Sequence, residues 1–350
     1  MPLLARTIAS PVAIEVRPGA LGALAPLLSD GRISTGGKVA IAVGAGRGDS
    51  IAAELRAQLP HATLVTVVGG DIDAALALMD ALRAEYFDAV VGIGGGRTLD
   101  VAKYAASMTG LPFVAVATTL THDGIASPVA SLDSHGRKAS FGVHVPIAVF
   151  VDIDHVRDAP IEHIRSGVGD VLSNLSAITD WELAHDVRGE AVDGLAVALA
   201  RTAAEAVLVA EPGDDRFLTV LAEGLILSGL AMTVAGTSRP CSGACHEISH
   251  ALDALFASPG LHGAQVALGA RFATWLRGDA AAFARLDAAL TTHGLPRRPA
   301  DLGISLDDFA AAVVHAPDTR PDRFTILEHM ALDADRVDTL VREFDATVDR

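Results

Sequence analysis

Residues 238–255 read SRPCSGACHEISHALDAL, and within ten of them stand Cys241, Cys245, His246 and His250. These residue types bind metals, exchange disulfides or carry protons, and spacing decides among the three. A zinc knuckle through Cys241, Cys245 and His246 needs further ligands at close spacing, and the chain has no other cysteine. Adjacent side chains also point about 100° apart on a helix, which spoils Cys245 and His246 as a pair. The spacing C-x-x-x-C is not the redox C-x-x-C. Both cysteines therefore read as small buried hydrophobic side chains. The histidines differ, because His246 and His250 are four apart and share one helical face. His262 opens the next helix after an ASPG loop, and Asp170 sits in the apolar stretch GVGDVLSNL, where an unpaired carboxylate is costly. Asp170, His246 and His262 would suit a tetrahedral Zn²⁺ with one open position, the arrangement of a catalytic site. The chain has 13 histidines, so other triples stay open on spacing alone.

Two further stretches carry polar chemistry. In GIGGGRTLDVAKYAA, Gly94, Gly95 and Gly96 join a strand to a helix N-terminus without a single Cβ in the turn. A pyrophosphate could reach the backbone amides and the positive end of the helix dipole; a plain tight turn is the alternative. The spacing is not G-x-G-x-x-G, so the ordinary dinucleotide fingerprint is not met. Asp100 and Lys103 follow one turn on, where a solvated helix face is the plain alternative. In TTLTHDGIASPVASL, Thr118, Thr119, His122, Asp123 and Ser127 crowd short polar groups after a strand, as a ligand loop or as ordinary turn chemistry. His122 and Asp123 form a candidate proton-handling pair.

The elements that must position these groups follow from periodicity. KVAIAV, ATLVTVV, DAVVGIGGG, PFVAVATT and PIAVFVDID read as strands, separated by helical stretches such as DIDAALALMDALRAE, which an aspartate opens. Strand, turn and helix in repeated order predict a parallel sheet covered by helices, with ligands at the carboxyl ends of the strands. From about residue 160 every long segment has helical length and period. The expected architecture is an α/β Rossmann-like nucleotide-binding domain over residues 1–158 and an all-α domain over residues 159–350. A chain of 350 residues, 50% hydrophobic and 20% charged, supports two packed cores. Its net charge of −16 and pI near 5.1 repel polyanions, so nucleic acid is not an expected partner. No apolar run approaches the roughly 20 residues that span a bilayer, so no membrane is expected. MPLLARTIASPVAIEV lacks a leader pattern. Two cysteines make no disulfide framework, which fits a reducing, cytoplasmic setting.

Taken together, GGGRTLDVAKYAA, THDGIASPVASL, GVGDVLSNLSAITDWELA, SRPCSGACHEISHALD, LHGAQVALG and TRPDRFTIL make the sequence resemble the sn-glycerol-1-phosphate dehydrogenases. These are a branch of the superfamily of iron-containing alcohol dehydrogenases, glycerol dehydrogenases and dehydroquinate synthases. The resemblance runs nearly end to end and implies the dehydroquinate synthase-like fold. It implies that Gly94–Gly96 take the NAD or NADP pyrophosphate and that Asp100, Thr118, Thr119 and Ser127 line the path toward the nicotinamide. It places Asp170, His246 and His262 at metal-ligand positions, and Asp123 and His250 beside the reacting carbon. Asn174 stands where the iron enzymes carry a histidine, which favours three-ligand Zn²⁺, with Ni²⁺ or Fe²⁺ open. The implied reaction is reduction of dihydroxyacetone phosphate to sn-glycerol 1-phosphate and its reverse. Its phosphate calls for charge-assisted bonds, for which Lys138 and Arg239 are candidates, with a structural or surface cation the alternative for each. Further copies of the chain, as a homo-oligomer, are an expected partner beside the small phosphorylated substrate. Cys245, Glu247 and Arg97 depart from the family pattern, and Arg47 in GAGRGDS could meet a 2′-phosphate or simply cover the surface. Another phosphorylated or cyclic polyol therefore stays open as substrate, and a dehydroquinate synthase-like cyclase more distantly.

Overall fold

The computed structural model describes residues 8–30, 33–34, 37–44, 47–134, 137–257 and 259–348. The first seven residues, read above for a leader, positions 45 and 46 of the second glycine turn and the Arg47 side chain lie outside the described residues.

The chain divides into two compact units, one of residues 1–120 and 124–159, the other of residues 121–123 and 160–350. In the first, strands and helices alternate: β1 (Ala13–Arg17), α1 (Leu24–Asp30), β2 (Val39–Gly44), α2 (Arg47–Leu55), β3 (Thr63–Val67), α3 (Ile72–Ala84), β4 (Ala89–Gly94), α4 (Gly96–Thr109) and β5 (Phe113–Ala117). A hairpin of β6 (Val129–Ser134) and β7 (Arg137–Gly142), β8 (Ala148–Asp152) and the short α5 (Ile153–Val156) complete it. Six strands form one sheet in the order β1-β8-β5-β4-β2-β3, and every pairing in it is parallel. The inner strands β4, β5 and β8 are buried at every position, whereas the edge strand β3 alternates. That contrast is what two helix-covered faces impose on a parallel sheet, and it explains why the inner strands read as continuous apolar runs. Asp71 caps α3, its carboxylate accepting the Ala74 N–H at 2.8 Å. The five sequence-read strands are present; β1 and the β6–β7 hairpin are additions.

The second unit is helical: α6 (Ile161–Arg188), α7 (Gly194–Leu208), α8 (Asp215–Ala235), α9 (Ala244–Leu255), α10 (His262–Leu276), α11 (Ala280–Thr292), α12 (Leu306–Thr319), α13 (Ile326–Met330) and α14 (Ala334–Asp345). Its core is built around Phe272, whose ring meets Phe309 and Phe344 edge-on at centroid distances of 5.4 and 5.1 Å. Cys241 and Cys245 are buried and free. One expectation needs correction: α8 is long and apolar enough to cross a membrane, although Glu223 interrupts its apolar run. The helix packs against α7 and α6 and is mostly buried within the protein.

Candidate functional site

Three helices of the second unit bring Asp170 (α6), His246 (α9) and His262 (α10) together. The approach of α10 to α6 depends on paired glycines. A Cβ at Gly263 would lie 1.7 Å from the Ser166 carbonyl oxygen, and one at Gly169 2.1 Å from the Gly263 carbonyl oxygen. Ser166 fastens the contact, its hydroxyl accepting the Gly263 N–H at 3.1 Å and donating to Thr121 O at 2.9 Å. The start of α9 is held by Asp180, ten residues after Asp170 on α6. Its carboxylate accepts the Ala244 and Ile326 N–H groups, each at 2.8 Å, and pairs with Arg277 at 2.5 Å.

Asp170 Oδ1 lies 3.6 Å from His262 Nε2 and 3.9 Å from His246 Nε2, and the three donor atoms fall within 4.8 Å of one another. These separations exceed a hydrogen bond and approach the roughly 3.3 Å between neighbouring donors on a tetrahedral zinc centre. Burial pushes the Asp170 carboxyl well above its usual range, helped by the Asp123 charge and opposed by the Asp123 N–H, which donates to Oδ2 at 2.8 Å. Burial pushes the His246 imidazole well down, helped by His262, His250, Arg320 and Arg323. A divalent cation would relieve this arrangement, since it favours the ionised carboxylate and binds neutral imidazoles. One carboxylate oxygen and two imidazole nitrogens thus fit a divalent transition metal. Asn174 faces elsewhere, its amide donating to Ser228 Oγ at 2.8 Å and to Ala200 O at 3.3 Å.

In the first unit the glycine turn lies between β4 and α4. Gly95 is the N-cap of α4 and offers no side-chain cap, so the first amides of the helix are left for another acceptor. A Cβ at Gly94 would lie 2.6 Å from Thr98 Cβ, and one at Gly95 2.9 Å from Thr119 Oγ1. That Thr119 hydroxyl is buried with no hydrogen-bond partner among the described residues. The cradle and the orphaned hydroxyl suit a diphosphate. The Thr118 N–H donates to Gly94 O at 3.0 Å, and Ser127 Oγ donates to Val129 O at 3.3 Å. Asp100 and Lys103 do not form the solvated face that was one alternative: both are buried, because β6 packs on α4. Lys103 Nζ donates to Gly124 O at 2.6 Å and Ser127 O at 3.2 Å, 3.4 Å from Asp100 Oδ1. Burial pushes the Asp100 carboxyl up to about 6 against the pull of Lys103, the Ser131 N–H and Lys138. This pair therefore anchors the loop bearing Ser127.

The cations expected at a phosphate have other surroundings. Arg239 pairs with Glu190 through two nitrogens and donates to Phe324 O at 2.9 Å. Lys138 is exposed on β7 of the first unit. The two arginines of TRPDRFTIL, Arg320 and Arg323, carry no mark of a role in the sequence. Arg320 Nη2 lies 3.4 Å from His250 Nε2, and Arg323 donates to Ser238 Oγ at 2.9 Å and to Ser242 O. Burial lowers both guanidinium pKa values, that of Arg323 to about 10, which marks two cations brought out of water near His246. His122 and Asp123 are half-buried.

The sequence model of the iron-containing alcohol dehydrogenases matches residues 15–160. A glycerol-1-phosphate dehydrogenase [NAD(P)+] of Cenarchaeum symbiosum is 38% identical over 278 residues, covering 78% of this chain and 77% of that protein. The protein of the same name from Pyrococcus furiosus is 40% identical over 241 residues, covering 68% and 69%. Among solved structures, glycerol dehydrogenase from Schizosaccharomyces pombe superposes with a TM-score of 0.78 at 19% identity, covering 97% of this chain and 90% of that one. A probable glycerol dehydrogenase from Sinorhizobium meliloti gives 0.77 at 22% identity, covering 97% and 98%. At these identities the structural likeness establishes the fold.

Proposed function

Because this chain belongs to the glycerol-1-phosphate dehydrogenase family, we propose that it reduces dihydroxyacetone phosphate to sn-glycerol 1-phosphate with NADH or NADPH, and runs the reverse reaction. The observation that carries the reading is the convergence of Asp170 Oδ1 with the Nε2 atoms of His246 and His262. These three residues would hold Zn²⁺, the three-donor set leaving a coordination position for substrate. Bound zinc supplies Lewis-acid polarisation of the substrate oxygens and bound nicotinamide supplies or accepts the hydride.

The remaining work falls to side chains. Gly94, Gly95 and Gly96 with the Thr119 hydroxyl would receive the cofactor diphosphate. Arg320, whose guanidinium lies beside the His250 ring, would receive the substrate phosphate, with Arg323 adding charge from its fixed position. Arg239 would keep Glu190 and the chain at Phe324 in place and so hold that segment. Asp123 and His250 would relay the proton that must join the carbonyl oxygen when hydride joins its carbon. Asp123 also steadies Asp170 through its backbone N–H.

The test is direct. Protein stripped with a chelator and reloaded with zinc is mixed with NADH or NADPH and dihydroxyacetone phosphate, and loss of reduced nicotinamide is followed together with the handedness of the product. Turnover that requires zinc, and that disappears with metal binding in Asp170→Ala, is expected. Zinc- and cofactor-bound protein that leaves the ketone untouched refutes the proposal.

A further inference from the structure

His262 Nδ1, the ring nitrogen turned away from Asp170, lies 3.1 Å from Ser249 Oγ on α9. Ser249 Oγ also donates to Gln265 Oε1 at 2.6 Å. The amide of Gln265 has its orientation set from the far side, since its Nε2 donates to Asp253 Oδ1 at 2.9 Å and to Pro259 O at 3.4 Å. Turning that amide over would place its carbonyl oxygen against a carboxylate and a backbone carbonyl, two acceptors with no proton between them. Ser249 and Gln265 are each 1% exposed, so water does not compete for the hydrogen bond between them.

The protons available along this row place a hydrogen on Nδ1 of the histidine. A serine hydroxyl has one hydrogen. Gln265 Oε1 can only accept, so that hydrogen is committed to it. Toward His262, Ser249 Oγ then offers only a lone pair, and Nδ1 must bring the proton. A neutral imidazole with its proton on Nδ1 has a bare lone pair on Nε2, the atom 3.6 Å from Asp170 Oδ1. We propose that Asp253, Gln265 and Ser249 form a relay of positioning residues that locks His262 in the Nδ1–H tautomer, so that Nε2 is presented as a donor before any metal arrives. The inference rests on the reading of His262 as a metal ligand, but the protonation pattern is a property of the metal-free protein. Ligand histidines commonly donate their second nitrogen to an outer acceptor; here that acceptor is a hydroxyl whose direction is dictated two residues further back. Among the described residues His246 has no equivalent, its Nδ1 having the weakly polar Cys245 sulfur at 3.4 Å.

The experiment is nitrogen NMR of metal-free protein labelled in its histidine rings, with the His262 signals identified from their loss in His262→Gln, alongside zinc titration. Wild type should show a protonated Nδ1 and a bare Nε2 at His262. Gln265→Met removes the acceptor and frees the Ser249 hydroxyl to donate to Nδ1. The ring proton should then move to Nε2, and zinc affinity should fall ten- to a hundredfold, on the order of outer-sphere losses generally. Ser249→Ala should give a mixture of tautomers and a loss of similar order. A change of folding stability alone would not move a proton between ring nitrogens. A wild-type His262 protonated on Nε2, or on both nitrogens, overturns the proposal without any variant. So does a folded Gln265→Met with wild-type tautomer and zinc affinity. Failure of zinc to bind the wild type, with the ring proton on Nδ1, would instead sink the metal reading.

Discussion

Gly263→Ala tests whether the close approach of α10 to α6 makes the site. A Cβ at this position would lie 1.7 Å from Ser166 O, 2.4 Å from Ser166 C and 2.7 Å from Ser166 Cα, all main-chain atoms that no rotamer change can remove. Real Cβ contacts below 3.0 Å are essentially unknown, so the Cβ and the Ser166 oxygen must move apart by about 1.3 Å, which the main chain of α10 or α6 has to supply. His262 is the neighbouring residue, and it would travel with the backbone away from Asp170. Metal–ligand distances tolerate about 0.2 Å, so the displacement exceeds the tolerance several times over. Overpacking of this kind costs about 1–3 kcal/mol of stability, and zinc affinity should drop by at least tenfold. The assay pairs denaturant unfolding of the metal-free protein with zinc titration against a competing chelator. Gly194→Ala serves as the control, because nothing lies within 4 Å of a Cβ there. If Gly263→Ala matched Gly194→Ala in both stability and zinc affinity, the contact would not be what sets the ligand geometry.

Three further outcomes are expected. Arg320→Gln should raise KM for dihydroxyacetone phosphate roughly thirtyfold, from about 2 kcal/mol for a charge-assisted bond; steady-state kinetics should show little effect on unphosphorylated dihydroxyacetone. Asp180→Ala strands the Arg277 guanidinium and two buried N–H groups, and should cost about 3–5 kcal/mol by denaturant unfolding. Asp100 titrates near 6 in the fold and near 3.8 in the unfolded chain, so the folded state binds its proton more tightly. The associated stability is fully present below pH 3.8 and is lost as pH rises through about 6, amounting to roughly 3 kcal/mol. Unfolding of Asp100→Asn should lack that slope when compared with wild type across the same pH range.

The candidate metal ligands were legible because such residue types are chemically rare in apolar helices: Asp170 amid GVGDVLSNL, and His246 and His262 at the starts of two helices. The sheet was legible because burial on both faces leaves uninterrupted apolar runs in β4, β5 and β8. Ser249, Gln265 and Asp253 were not, since polar residues at helical spacing carry no mark of facing inward. Asp100 and Lys103 had the spacing of a solvated face, and the β6–β7 hairpin, unread in the sequence, covers them together with the loop before it. Arg239 and Arg320 are the same residue type in equally polar surroundings. The distinction lies in Glu190, which is distant in sequence and occupies the first of them.

The convergence on Asp180 also bears on how the protein folds. Its three partners lie 64, 97 and 146 residues away along the chain, so no short loop closure can assemble the cluster. Contacts of such range are paid for in chain entropy before they return any stabilisation, and they form slowly. The start of α9, which carries His246, therefore gains its final position only when distant parts of the second unit have docked. A site of this kind is a late product of folding. Metal present during refolding should act by holding the finished structure, lowering the unfolding rate while leaving the folding rate nearly unchanged.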